Sequence, residues 1–319
     1  MQLPVELQEA IESLIQSQST KHLREAREKV SADYRQGIAS ANAFQNKGQL
    51  LSYLITRMPA TYAANAKVFQ AIRQRLPQFQ CRSLLDLGAG PGTASWAALE
   101  TFPELAKLHL IERESKAIDI GKKLSPLWKG AHWECASLES NWQIGPTDLA
   151  ILSYVFAEMS QEKSRLLLER LMKENISLVA IIEPGTPKGF ERIRFFREIA
   201  LQKGAQIIAP CPHPYECPMQ GKDWCHFSAR VERTRLHRQL KEGSLGYEDE
   251  KFSYLVFANS SFVLEPIEGR LVRAPLKGSG FVKLPVCAKE GKLKEITVTR
   301  SDKEKYRLAR DMEWGDVWE

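Results

Sequence analysis

From Cys81 onward the chain alternates short β-type runs with helical segments, and no other feature restricts its fold as strongly. SLLDLG (83–88), KLHLIE (107–112), AHWECA (131–136), DLAILS (148–153) and SLVAIIE (177–183) are separated by helical spacing near 93–101, 115–124, 160–173 and 188–203. Parallel strands need crossover connections, and right-handed βαβ units leave a parallel sheet covered on both faces. The alternation therefore predicts a doubly wound α/β domain. QIIAP (206–210) and FSYLVFA (252–258) are candidates to complete the sheet, with a cysteine-rich insertion between them. Upstream, Leu7, Ile11, Leu14 and Ile15 recur at helical spacing, and residues 4–74 predict three helices. The stretch 53–72 reads as one helix or as two broken at Pro59, because proline lacks the amide that a continuing helix needs. After Asn259 the chain turns basic and β-rich, a small meander closed by a charged helix over 302–312. The expected organisation is a helical region (1–78), an α/β domain (79–258) carrying an insertion over 210–250, and a basic β-rich unit (259–319).

A length of 319 residues with 43% hydrophobic content excludes disorder, a collagen and a disulfide miniprotein. No run of 18 apolar residues occurs, and the N-terminus has acids rather than a basic region followed by an apolar stretch. The expectation is a soluble cytoplasmic protein. The formal charge of +6 is too small by itself to demand a polyanionic partner, so its distribution has to carry that argument.

DLGAGPG, Asp86 to Gly92, ends a strand directly before a helix, where open α/β sheets bind ligands. Gly88, Gly90 and Gly92 allow close backbone approach, with Ala89 between the first two. The order is GxGxG, without the GxGxxG dinucleotide fingerprint and without the GK[ST] ending of a phosphate loop. Glu112 ends the next strand, where a carboxylate can accept two hydrogen bonds from ribose hydroxyls; alone it would read as a solvated strand-end acid. Asp86 could order the loop or reach a cofactor amino group. Together these residues look like the S-adenosylmethionine site of a Rossmann-like class I methyltransferase, with Ser153 lining the pocket. At the end of the fourth strand SYVF (153–156) replaces the [DN]PP[YF] common in amino-methylating enzymes, and no residue stands out as a base. Cys81 and Cys135 read as small core residues.

CPHPYECPMQGKDWCHF holds Cys211, Cys217 and Cys225 at intervals wider than a zinc knuckle. Thiolates followed by Pro212 and Pro218 suit an iron–sulfur cluster held in extended turns. Cys287, in LPVCAKEG, is the favoured fourth ligand, with a structural role; His213 and His226 are alternatives that would suit zinc, each otherwise a polar loop residue. Arg230, Arg233, His237, Arg238 and Lys241 fall largely on one face of a helix, read either as a solvated face or as part of a basic surface. Residues 261–310 add six more Lys and Arg than Asp and Glu, including Arg270, Lys283, Lys289 and Lys294, a distribution suited to phosphate contacts with a folded RNA.

TRMPATYAA (56–64), DLGAGPG, IIEPGTP (181–187), CPHPYECP, DWCHFSARVERT (223–234), YEDEKFSYL (247–255) and WGDVW (314–318) together resemble the bacterial branch of the Rsm-type, methyltransferase-like family of small-ribosomal-subunit proteins. The resemblance covers roughly four fifths of the chain. It implies a class I methyltransferase fold, an S-adenosylmethionine site, a [4Fe–4S] cluster on Cys211, Cys217, Cys225 and Cys287, and contact with small-subunit ribosomal RNA. The functional expectation is an S-adenosylmethionine-dependent methyltransferase or methyltransferase-like protein acting on that RNA in ribosome biogenesis and translation. The alternative is a noncatalytic assembly factor that keeps the pocket as a relic or sensor.

Overall fold

A computed structural model describes residues 1–319 apart from 17, 20, 22, 27, 29–46, 127 and 242. The helical expectation across 29–46 lies outside the described residues. Backbone contacts divide the chain into two compact units: Met1–Phe69, Gln80–Val179 and Ala229–Glu250 form the first, Gln70–Phe79, Ala180–Ser228 and Lys251–Glu319 the second.

The first unit opens with α1 (Val5–Ile15), which buries Leu7, Ile11 and Ile15 on one face, followed by α2 (Lys47–Thr56) and the start of α3 (Met58–Arg75). The break falls at Arg57, and Pro59 sits in the first turn of α3, where its missing amide has no helical acceptor to lose. Strands β1 (Ser83–Leu87), β2 (Lys107–Glu112), β3 (Ala131–Cys135) and β4 (Thr147–Ser153) alternate with α4 (Thr93–Thr101), α5 (Ser115–Leu124) and α6 (Gln161–Leu171). The order is β3-β2-β1-β4, every pair parallel, with β5 (Ile176–Pro184) next to β4. Leu84, Leu85 and Leu87 on β1 and Leu149 to Leu152 on β4 are buried, the near-continuous apolar run of a strand covered on both faces. Because β1 lies between β2 and β4, the chain reverses direction across the sheet at β1, the switch point beside which open α/β sheets bind ligands. The unit thus carries the expected Rossmann-like arrangement.

Cys135 departs from the core role expected of it. It is exposed, because β3 pairs only with β2 in this order and its last residue emerges at the strand end. Cys81 is fully buried, as expected.

In the second unit α7 (Pro187–Gln202) starts with Thr186 accepting from the Gly189 amide and proline at the first position, two strong start signals. β6 (Gln206–Ala209) runs antiparallel to β8 (Tyr247–Ala258), and β8 neighbours β5, so the sheet is mostly parallel with an antiparallel addition. β7 (Phe227–Glu232) also pairs with β8, and α8 (Arg235–Lys241), which lies between them in sequence, belongs to the first unit. The C-terminal meander is a five-stranded sheet in the order β10-β11-β9-β13, with β12 on β11, made from β9 (Gly269–Leu271), β10 (Leu276–Lys277), β11 (Phe281–Ala288), β12 (Leu293–Thr299) and β13 (Val317–Trp318). Leu271, Val282, Leu284, Val286 and Val298 form its core with Ala309 of α9 (Lys303–Asp311).

Candidate functional site

Gly88, Gly90 and Gly92 all have positive φ, at 71°, 55° and 85°. The amides of Gly88 and Ala89 donate to the Ile111 carbonyl, the Gly90 amide to Glu112 Oε2 at 2.8 Å, and the Gly92 amide to the Ala89 carbonyl. These amides are occupied within the fold, so this is not the donor-rich cradle that a phosphate requires. Glu112 takes a second amide, from Glu114, on its other oxygen at 2.9 Å. It therefore clamps the glycine turn, and each of its oxygens keeps a further lone pair. A Cβ on Gly88 would lie 2.7 Å from Val155 Cγ2. Asp86 is buried and accepts from both the amide and the hydroxyl of Ser95, at 3.2 and 2.7 Å, capping the first turn of α4.

Burial pushes the Asp86 carboxyl up to about 7; the Ser95 bonds oppose this and the nearby Glu112 adds to it. Glu158, just beyond β4, is also pushed up to about 7, by burial first, with Arg113 working against it and Glu112 and Glu114 reinforcing it. Acids crowded at neighbouring strand ends disfavour an anionic ligand, and those that ionise favour a cationic one.

Ser153 accepts from Asn65 Nδ2 at 2.9 Å. Asn65 is fully buried on α3, and its Oδ1 has no hydrogen-bond partner among the described residues. Tyr154 has φ of 62°, an uncommon conformation for a bulky residue, and its hydroxyl donates to Glu250 Oε1 at 2.8 Å. Glu250 also takes both terminal nitrogens of Arg57 at 3.0 and 3.1 Å. The N-terminal helical segment, without evident chemistry in sequence, thus supplies Asn65 to Ser153 and Arg57 to Glu250. The TRMPATYAA segment was the available signal, since Arg57 belongs to it and Asn65 follows it directly.

In the second unit Cys211, Cys217, Cys225 and Cys287 line one cavity of about 40 Å³. The first three are half-buried and lie between β6 and β7; Cys287 is buried on β11. Burial raises the Cys217 thiol, raises Cys225 well above its usual value and pushes Cys287 up to about 12, with the neighbouring thiols adding to the effect in each case. Met219, Phe190 and Val272 pack with Cys287, and Trp224 against the same group.

Two buried arginines tie this segment down. Arg197 donates to the carbonyls of His213 and Tyr215, at 3.0 and 2.6 Å. Arg270 donates to the carbonyls of Pro210 and Gly315, each at 2.8 Å. Arg270 was expected on the basic surface; it is buried because these carbonyls need a donor. His213 and His226 were expected as polar loop residues and are both buried. His213 Nε2 lies 3.3 Å from Cys287 Sγ, while His226 stacks on Trp224 and meets Trp314 edge-on.

The expected helix face breaks up, because Arg230 lies on β7 and Arg233 in the turn before α8, and most of its charge is spent internally. Arg233 and Lys241 both contact Glu248 at 2.7 Å, and His237 is buried 3.5 Å from it. Burial opposes ionisation of Glu248, but His237, Lys241 and Arg233 outweigh it and hold the carboxyl well below the usual range. Arg230 pairs with Asp249 and lies over the Tyr247 ring. Lys283, Lys289 and Lys294 of the C-terminal sheet pair with Glu295, Glu268 and Glu290, exposed contacts worth little to stability.

Among solved structures, the chain is similar to a putative RNA methyltransferase from Pyrococcus horikoshii at 18% identity and TM-score 0.41, over 61% of this chain and 82% of that one. It is also similar to the N-methyltransferase NodS from Bradyrhizobium japonicum WM9 in complex with S-adenosyl-L-homocysteine, at 11% identity and TM-score 0.45, over 69% of this chain and 96% of that one. Among curated proteins, "Ribosome assembly protein METTL17, mitochondrial" of Homo sapiens is 24% identical over 85% of this chain and 62% of its own length. "Rsm22-cox11 tandem protein 2, mitochondrial" of Schizosaccharomyces pombe is 28% identical over 85% of this chain and 43% of its own length. The chain thus spans about half the length of the curated relatives it matches. These relatives are named mitochondrial, which overturns the cytoplasmic location expected from composition. The family model described as "Mitochondrial small ribosomal subunit Rsm22" matches residues 47–319, nearly all of the sequence beyond the first helix, and the chain belongs to that Rsm22 family.

Proposed function

We propose that this chain is an S-adenosylmethionine-binding, methyltransferase-like factor of small-ribosomal-subunit assembly that contacts small-subunit ribosomal RNA and carries a structural [4Fe–4S] cluster. One observation carries the cofactor reading: a positive-φ glycine turn with its amides occupied, flanked by the buried carboxyls Asp86 and Glu112. Such a surface suits close contact with a nucleoside that bears positive charge. Asp86, Gly88, Ala89, Gly90, Gly92 and Glu112 would hold the cofactor with Ser153 lining the pocket, and the unpartnered Asn65 Oδ1 supplies a free acceptor beside Ser153. When bound, the cofactor supplies an electrophilic methyl on a sulfonium. This chain's residues orient it and exclude water, which is most of what a direct displacement asks of a protein.

The noncatalytic reading is favoured by one feature: the polar groups at the end of β4 are already engaged, Ser153 by Asn65 and Tyr154 by Glu250. Calorimetry with S-adenosylmethionine, followed by transfer of labelled methyl to immature small subunits, separates the two readings. Binding with labelled RNA marks an enzyme, and binding of cofactor and subunit without label marks an assembly factor. Absence of cofactor binding would sink the pocket assignment.

The carboxyls give a pH signature. A folded-state value of about 7 lies above the ordinary unfolded value, so the stability that protonated Asp86 and Glu158 contribute is present in acid and lost as pH rises through 7. Without ligand, the melting temperature is expected to fall between pH 5 and 8. Affinity for the cationic cofactor is expected to rise over the same interval as Asp86 ionises, and Asp86→Asn should flatten both slopes. Affinity independent of pH in the native chain would count against the role of Asp86.

The donor set of the cysteine-lined cavity suits a cluster. Four cysteines line it, the all-thiolate set that a [4Fe–4S] cluster takes. That set supports a polynuclear centre on Cys211, Cys217, Cys225 and Cys287, and binding there requires thiols that burial holds protonated to give up their protons. Anaerobic purification followed by iron, sulfide and zinc analysis tests it: one zinc without sulfide overturns the cluster.

A further inference from the structure

We propose a second metal site, for a single divalent transition-metal ion of the zinc class, on the two outer strands of the first unit, with His109, His132 and Glu134 as ligands. His109 on β2 and His132 on β3 are direct partners in the parallel register, and Glu134 lies two residues along β3 on the same face. The strand pairing itself thus delivers two imidazoles and a carboxylate to one spot. One donor atom from each lies within 4.8 Å of the other two. His109 Nε2 and Glu134 Oε2 are 2.9 Å apart, and the two imidazole rings sit 4.9 Å apart between centroids at 48°.

Zinc bonds of about 2.0–2.1 Å to nitrogen and oxygen separate tetrahedral donors by about 3.3 Å. The ion therefore asks the His109–Glu134 contact to open by a few tenths of an ångström and the His132 donor, within 4.8 Å of both, to settle at the same separation. These side chains are free to make that adjustment, since His132 is exposed and His109 and Glu134 keep 24% and 32% of their side-chain surface open. Two imidazoles and one carboxylate suit a borderline-soft cation rather than calcium or magnesium, and a fourth position remains for water or an incoming ligand. The ion would join β3, which pairs only with β2 in the sheet order, to its neighbour by side-chain bonds as well as backbone ones. Nothing in this arrangement depends on the cysteine cavity, which belongs to the other unit.

The test uses the full chain with its cysteine site as purified. Zinc chloride titrated against a chromophoric chelator should report one added equivalent with micromolar affinity, weakened at least tenfold in His132→Ala and retained in Cys287→Ser. Copper(II) loaded in place of zinc should show electron-spin hyperfine coupling to two imidazole nitrogens, falling to one in His132→Ala. His132 is exposed, so this variant keeps its fold, and equal circular dichroism for the two proteins secures the comparison. No added equivalent, affinity unchanged in His132→Ala, or coupling to fewer than two nitrogens in the native chain would each overturn the site.

Discussion

Cys287→Ser is expected to lose both iron and sulfide on anaerobic purification and to melt about 10 °C lower, while Cys81→Ser keeps its iron. The asymmetry comes from where each thiol sits. Cys287 is on β11 and lines the cavity shared with Cys211, Cys217 and Cys225, so a cluster there joins the C-terminal sheet to the segment between β6 and β7. Metal-binding free energy counts directly towards the folding of whatever it joins. A loss of about 3 kcal/mol, modest for such a link, shifts the midpoint of a unit this size by about 10 °C. Cys81 precedes β1 in the other unit and is fully buried, so serine there costs about 1–2 kcal/mol for an enclosed hydroxyl. Equal metal content in the two variants would remove the fourth-ligand role from Cys287.

Gly88→Ala should abolish measurable S-adenosylmethionine binding, with an affinity loss of at least a hundredfold, and should destabilise the first unit by about 3 kcal/mol. Two separable causes add. A φ of 71° costs an L-residue about 1–2 kcal/mol, and the new methyl would lie 2.7 Å from Val155 Cγ2, far inside contact distance. Val155→Ala in the same chain removes the clash and leaves the backbone strain, so the double variant should recover part of the stability and little of the binding. Full recovery of stability would show that strain is negligible, and normal cofactor affinity in Gly88→Ala would show that the turn is not the binding surface.

Much of this was legible in the residues. The α/β alternation, the glycine turn, Glu112 at the end of β2 and the clustering of Cys211, Cys217 and Cys225 are local patterns, read from neighbours along the chain. Other parts were not legible for an equally physical reason. Asn65 and Arg57 look like ordinary helix residues, and only folding places them beside Ser153 and Glu250. Arg270 counts as one more positive charge until its two carbonyl acceptors appear. Arg230 to Lys241 looked like one basic helix face because neither the strand that ends at Glu232 nor Glu248, which arrives on β8 and neutralises Arg233 and Lys241, is written in their spacing. Cys135 was misread because its position at the end of an outer strand is not encoded by its apolar neighbours.

The sequence by itself determined the repeating βαβ plan and the residue types available for chemistry, because periodicity and turn-forming residues act over a few positions. Tertiary structure alone decided which of those residues meet. It brought Cys287 to the cavity of the other three thiols, set His109 beside His132 by strand register, and buried Asp86 deeply enough to hold its proton near neutrality. Ligand sets and shifted ionisation depend on distances and burial through space, and these are fixed only when the sheet closes its register and water is excluded.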